Sequence, residues 1–272
     1  MLTWKLWRGL RQPPFNHPLY QEVIGRPAAP MAASLGCVVV LIAPFVLLPA
    51  LLFLSTAYGL RWAMQIASTI AREHETRRYE LVALSPEGAF GVSRAIMSAY
   101  VQRNESLAQI QTAGAWVLRL AFMLTIMLAL TSLSTPILTT DYAPNVNEII
   151  TVLYLVTMAV AIYIDHVHSV LVGLLVGMWI PAVVPRRLDA SMGALLVYLL
   201  LQVTAYLVVV LGCFTLLPAL LGSIPRPYNT VLLALLRVAV LFAVREILIR
   251  WLWATVVRQT NATPSELEFM TR

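Results

Sequence analysis

Lysine is almost missing from this chain of 272 residues: of nineteen basic residues only Lys5 is not arginine. A phosphate-binding P-loop needs a glycine-rich turn closed by Lys-Ser or Lys-Thr, and no such run exists, so ATP hydrolysis by that route is excluded. A retinal Schiff base needs an intramembrane lysine, which is equally absent. Cysteine is scarce too. Cys37 and Cys213 lie in apolar runs without a CxxC or Cys/His cluster, so they read as packing residues rather than a disulfide framework or a metal centre. No Ser/His/Asp or paired-carboxylate constellation stands out, and intrinsic catalysis is not expected. Residues 34–37, SLGC, precede an apolar run instead of following one, so no cleavable signal is expected there. Charge itself is the largest deficit, at 12% of residues against about 25% in a soluble domain.

What fills the chain is apolar: 60% of residues, with several runs beyond the roughly 18 that suggest a bilayer span. Mean hydropathy is +0.79. The expected fold is an all-α polytopic membrane protein forming one transmembrane domain over residues 1–272. About six membrane-embedded helices are expected, or five if residues 31–71 cross once. Residues 1–12 interleave Leu2, Trp4, Leu6, Trp7 and Leu10 with Lys5, Arg8 and Arg11, the pattern of a helix lying among lipid headgroups. Residues 13–30 continue as an interfacial segment, with His17 as a surface histidine. Residues 31–60 are nearly uncharged but interrupted by Pro44 and Pro49: either one span leads into an interfacial helix, or a hairpin turns near those prolines. Further spans are read at about 113–138, 148–184, 191–220 and 229–256.

The segment 72–112 is the longest solvent-facing stretch. Helical spacing makes Glu73 and Arg77 an i,i+4 pair and Arg77 and Glu80 an i,i+3 pair. Ser85-Pro86-Glu87-Gly88 reads as a turn, so the unit is a helical hairpin. The formal net charge is +6, and its arginines flank apolar runs rather than forming a nucleic-acid-binding stripe. Loop 139–147 has no arginine or lysine, whereas 185–190 carries Arg186 and Arg187. Positive-inside counting puts 72–112, 185–190 and the C-terminus in the cytoplasm. The N-terminal cations also favour that side, and with it the hairpin reading of 31–71.

Residues 70–88, IAREHETRRYELVALSPEG, resemble the cytoplasmic segment of type-2 ABC transporter permeases. There an apolar helix leads into Glu-Arg-Glu-x-Gly-Thr-x-Glu-Leu-Leu, closed by Thr/Ser-Pro. Glu73 and Glu75 fall on the two leading glutamates. Glu80, Leu81, Val82, Leu84, Ser85 and Pro86 fall on the later glutamate, the apolar run and the turn. His74 replaces the arginine, and Arg77 and Arg78 stand where Gly-Thr is usual. Residues 171–200 are similar to the family's later pattern of a Gly/Leu-rich span end, a basic pair and the next helix, with Pro181 in place of the usual serine. The N-terminal helix resembles the family's elbow helix.

The resemblance implies a permease subunit of an exporter-type ABC transporter in a bacterial inner membrane. It would work as a homodimer or beside a second permease, and a separate ATP-binding subunit would hold the nucleotide; no cofactor is expected on this chain. Glu73, Glu75 and Glu80 would then pair with cations of that subunit, while Leu81 and Leu84 fill a cleft beside the Ser85-Pro86 turn. Read without the resemblance, the same charges form a solvated helix face. The chain is then a non-catalytic membrane scaffold subunit of a larger complex, or a secondary transporter.

Ionisable residues inside spans are functional candidates by default. Arg237 lies about 12 Å from the outer entry of the last span and is expected to face helices or a polar cavity. Arg119 sits near its cytoplasmic entry and can snorkel. Asp165, His166 and His168 fall where 148–184 reaches the inner interface, before a bent continuation. They read as a polar bend, as a proton relay in the secondary-transporter reading, or as a metal or haem site for which the ligands are too few. Glu246 and Arg250, at i,i+4, are expected to satisfy each other.

Overall fold

In the computed structural model, residues 1–11, 14–15, 17–25, 44–77, 79, 88–103, 146–222, 228–260 and 262 are described, and every regular element among them is a helix. The helices are α1 (Leu2–Arg11), α2 (Pro18–Gly25), α3 (Pro44–Glu75), α4 (Gly88–Arg103), α5 (Val146–Val183) and α6 (Arg187–Leu211). A π-helical turn (Gly212–Leu216), α7 (Leu217–Leu221) and α8 (Tyr228–Thr260) follow. The chain divides into two compact units. The first holds Met1–Leu107, His166–Thr204 and Arg245–Arg272; the second holds Ala108–Asp165 and Ala205–Val244.

Two stretches are long and apolar enough to cross a membrane: Val156–Val183, with mean hydropathy 1.8, and Arg187–Leu221, with 2.5. Their surroundings differ. The most apolar window of the first is 61% buried, that of the second only 22%, so the more hydrophobic helix is the more exposed one. That inverts the soluble pattern, in which apolar stripes face the core.

The first unit is centred on α5, where Val167–Met178 is buried on every side. Close packing here depends on missing side chains. Gly173 and Gly177 are one turn apart, the small-xxx-small spacing that lets helix backbones meet. A Cβ on Gly173 would overlap the carbonyl of Gly59 in α3, and one on Gly177 would stand 2.9 Å from Cβ of Ile66. Gly59 in turn lies under Tyr198 of α6, whose Cζ is 2.9 Å from where its Cβ would be. Trp62, Ile66 and Ile70 of α3 complete this core.

Several boundaries depart from the sequence reading. Helix α3 starts at Pro44 and runs through Pro49 without a break, so no hairpin turns between these prolines; proline suits the first helical position because its missing N–H would have no partner there. It ends at Glu75, and Arg77 has φ 56°, so the register needed for the Glu73–Arg77 pair is not continued. Helix α5 is a single element through the polar trio to Val183. Helix α1 does form, but its Leu6, Trp7 and Leu10 are buried in the first unit's core. An i, i+3, i+4 apolar face fits a protein groove as well as a bilayer surface, and here the protein takes it. His17, expected at the surface, is buried immediately before α2.

Candidate functional site

The first unit contains a layer of polar side chains from four helices, all buried. Gln202 of α6 donates to Oγ of Ser169 at 2.8 Å and to Oη of Tyr198 at 3.1 Å. Tyr198 donates to the Ser169 carbonyl at 3.4 Å. The Gln202 carbonyl oxygen accepts from Arg245 of α8, a guanidinium with no exposed surface. An amide suits this place because it donates on one side and accepts on the other.

One residue along from Ser169 and from Arg245 the layer continues. Glu246 of α8 accepts the backbone N–H of Leu2 at 2.9 Å through Oε1 and the Thr3 hydroxyl through Oε2. These are contacts to the open end of α1, where N–H groups lack helical partners and the helix dipole favours a negative charge. His168 places Nε2 3.4 Å from Oγ1 of Thr3 and 3.9 Å from Oε2 of Glu246. Arg250 donates to the same carboxylate at 3.3 Å, as the i,i+4 spacing implied. Glu246 therefore joins α1, α5 and α8.

In the second unit, the Tyr206 hydroxyl donates to buried Asp165 at 2.8 Å. The π turn there has its own polar consequence. Leu217 N–H bonds to the Gly212 carbonyl, the i→i+5 register. The next bond in that register would run from residue 218 to the Cys213 carbonyl, but Pro218 has no N–H. Arg237 supplies the donor: its Nε lies 3.3 Å from the Cys213 oxygen, and its Cζ sits 4.8 Å over the Phe214 ring. The arginine expected to face a polar group thus meets a carbonyl and an aromatic face.

At the end of α3, Oε1 of Glu75 accepts the backbone N–H of Arg187 at 2.8 Å, capping the start of α6. The carboxylate of Glu73 is buried and pairs with Arg72 at 3.0 Å. Tyr79 lies against the His74 ring, with centroids 3.8 Å apart, and donates to the Ala89 carbonyl at 3.0 Å. Its hydroxyl also meets Oγ of Ser93 at 3.0 Å. Burial pushes the Tyr79 hydroxyl above its ordinary pKa, a shift that the Ser93 hydrogen bond partly opposes. Gly88, at φ 63°, opens α4 in a conformation that favours glycine. Glu80, Leu81, Leu84, Ser85 and Pro86 lie outside the described residues.

The expected polar residues fall in both units, His166 and His168 in the first, Asp165 and Arg237 in the second. His168 meets Thr3 and Glu246, Asp165 meets Tyr206, Arg237 meets Cys213, and His166 is half-buried. Among the described residues no group of three His, Cys, Asp or Glu side chains is arranged to hold a metal ion. Sequence reasoning missed Thr3, Ser169, Tyr198, Gln202 and Arg245. The available signal was Gln202, one amide in a leucine-rich span, beside the adjacent Arg245-Glu246 pair. No protein-family model, no curated protein and no solved structure matches this chain.

Proposed function

We propose that the chain is a multi-pass membrane protein of about six helices, acting as the permease subunit of an exporter-type ABC transporter. A separate ATP-hydrolysing subunit docks on the segment after α3, and a second copy or a second permease completes the pathway. The reading rests on the resemblance of residues 70–88 to that family. The observation that carries it further is the contact between Glu75 and the Arg187 N–H, 2.8 Å long. It ties the last residue of α3, where the docking segment begins, to the first residue of α6, which opens the more apolar and more exposed of the two stretches long enough to cross a membrane. A push that reaches Glu75 then passes to the start of α6 through this hydrogen bond. Exposed Glu75, with Glu80, receives cationic groups of the ATPase, and Leu81, Leu84, Ser85 and Pro86 fill its cleft; Glu73, expected beside them, is buried against Arg72 and is left out of this contact.

The test is charge inversion. Glu75→Lys with Glu80→Lys leaves repulsion as well as lost attraction, so co-purification of the ATPase subunit falls, or ATP hydrolysis continues without transport. A variant that inserts normally, keeps its partner and transports at the parent rate ends this reading. Topology is checked separately: cysteines placed at Gln102 and Asp141 label from opposite sides, with Gln102 and the C-terminus cytoplasmic. A second reading, a proton-driven secondary transporter, draws on buried His168 lying 3.9 Å from Glu246. Transport that follows an imposed pH gradient in vesicles without ATP would favour it.

A further inference from the structure

Helix α6 has two unlike faces. Ala190 and Ala194 are fully buried, and a Cβ on Gly193 would come within 3.2 Å of Ile180. From Met192 to Val203 the exposed positions are Met192, Leu196, Leu199, Leu200 and Val203. Small residues, with the hydrogen-bonded Tyr198 and Gln202, thus meet neighbouring helices, and bulky apolar ones point away from the protein. Membrane helices associate where small or hydrogen-bonding residues permit close approach. The outward face of α6 offers neither over this stretch, so its surface suits mobile acyl chains better than another helix. From Leu188 to Val203 it runs about 22 Å, longer than the roughly 15 Å of one leaflet's hydrocarbon.

The charges lie at one end of this face. Arg186 and Arg187 are exposed where α6 begins, and Arg77 is exposed two residues beyond Glu75, whose carboxylate touches that same start. Against these stand Glu75 and exposed Asp189, leaving about one net positive charge beside the apolar wall. Helix α8 also exposes apolar and aromatic residues beside arginines, with Ile247, Arg250, Trp251 and Arg258 on its surface, a mixture common at a membrane boundary.

We propose that this face of α6 is a lipid-facing wall that holds an anionic phospholipid, its acyl chains along Met192 to Val203 and its phosphate at Arg186 and Arg187. The proposal rests on the membrane reading above but not on the ATPase docking. It also keeps any second copy of the chain off this face.

The experiment uses the full chain in liposomes, with Cys37 and Cys213 replaced by alanine and a small fluorophore on Leu196→Cys. Nitroxide on the acyl chain of phosphatidylglycerol or phosphatidylcholine serves as the quencher. Strong quenching is expected, with the anionic lipid preferred roughly fivefold, the effect of about one net charge near the surface. Arg186→Gln with Arg187→Gln leaves about one net negative charge and turns the preference to phosphatidylcholine. Equal quenching in the parent overturns the headgroup assignment. A fluorophore shielded from both lipids, with Leu196→Cys forming a disulfide-linked dimer, overturns the wall and makes it a contact between copies. A second label at Leu200→Cys guards against a local effect at the first. Failure to float with liposomes would instead sink the membrane reading, so the two failures are told apart.

Discussion

His168 carries its hydrogen on Nε2, because the Thr3 hydroxyl 3.4 Å away has given its own proton to Glu246. Thr3 can then only accept from the ring, and the order of donation runs from imidazole to hydroxyl to carboxylate. This fixes which substitutes can stand in for the ring. The amide nitrogen of glutamine reaches the Nε2 position, whereas that of asparagine reaches Nδ1. His168→Gln should therefore retain about 1 kcal/mol more stability than His168→Asn. Thermal unfolding in detergent reads the difference, and equal losses would show the tautomer to be misassigned.

Arg237 makes a second, independent case. Arg237→Leu leaves the Cys213 carbonyl without its donor and should cost about 1–3 kcal/mol. Pro218→Ala returns an N–H at the position the π register needs. The double variant should recover most of that loss, although each substitution alone disturbs the turn. If the double variant is simply the sum of two losses, Arg237 has another role.

Much of this architecture was readable from residues and much was not. Apolar runs located the helices α5, α6 and α8, and those of α5 and α6 lie in stretches long and apolar enough to cross a membrane. Local spacing likewise revealed the Glu246–Arg250 pair, seen at 3.3 Å. The Glu73–Arg77 pair fails on the same rule because the helix stops at Glu75, a boundary that spacing does not report. Contacts between helices far apart in sequence leave no periodic trace. Thr3 and Glu246 are separated by 243 positions, and neither residue type announces the other. The amphipathic face of α1 was legible, but not what covers it, since leucine and tryptophan suit a groove and a bilayer alike.

Gly59 and Gly173 should tolerate almost nothing larger. Gly173→Leu forces a side chain into the carbonyl of Gly59, and overpacking costs about 1–3 kcal/mol, occasionally more. Gly25→Ala is the contrast, because nothing lies within 4 Å of a Cβ there. Expression and melting temperature of the two variants check this. A Gly173→Leu protein as stable as the parent would mean that α3 and α5 do not cross here.

Tyr79 gives the segment after α3 a pH dependence. Its folded pKa lies above the ordinary 10.0 because of burial, so the neutral hydroxyl is the form that fits. Its contribution is complete below pH 10.0 and is lost as pH rises through the folded value. Tyr79→Phe should remove that alkaline loss while weakening the hold on Ala89 and Ser93 at neutral pH. Hydrogen exchange at the start of α4, compared across this range, reads both effects.

Where Gly59 meets Gly173, backbone lies on backbone with no side chain between. Rotamers are the usual shock absorbers of a protein interior, since a leucine can swing and let two helices slip by an ångström. This joint has none. A shift of α3 must carry α5 with it or part from it altogether, so the two helices move as one shaft. Any signal arriving at Glu75 thus enters a mechanism with very little play.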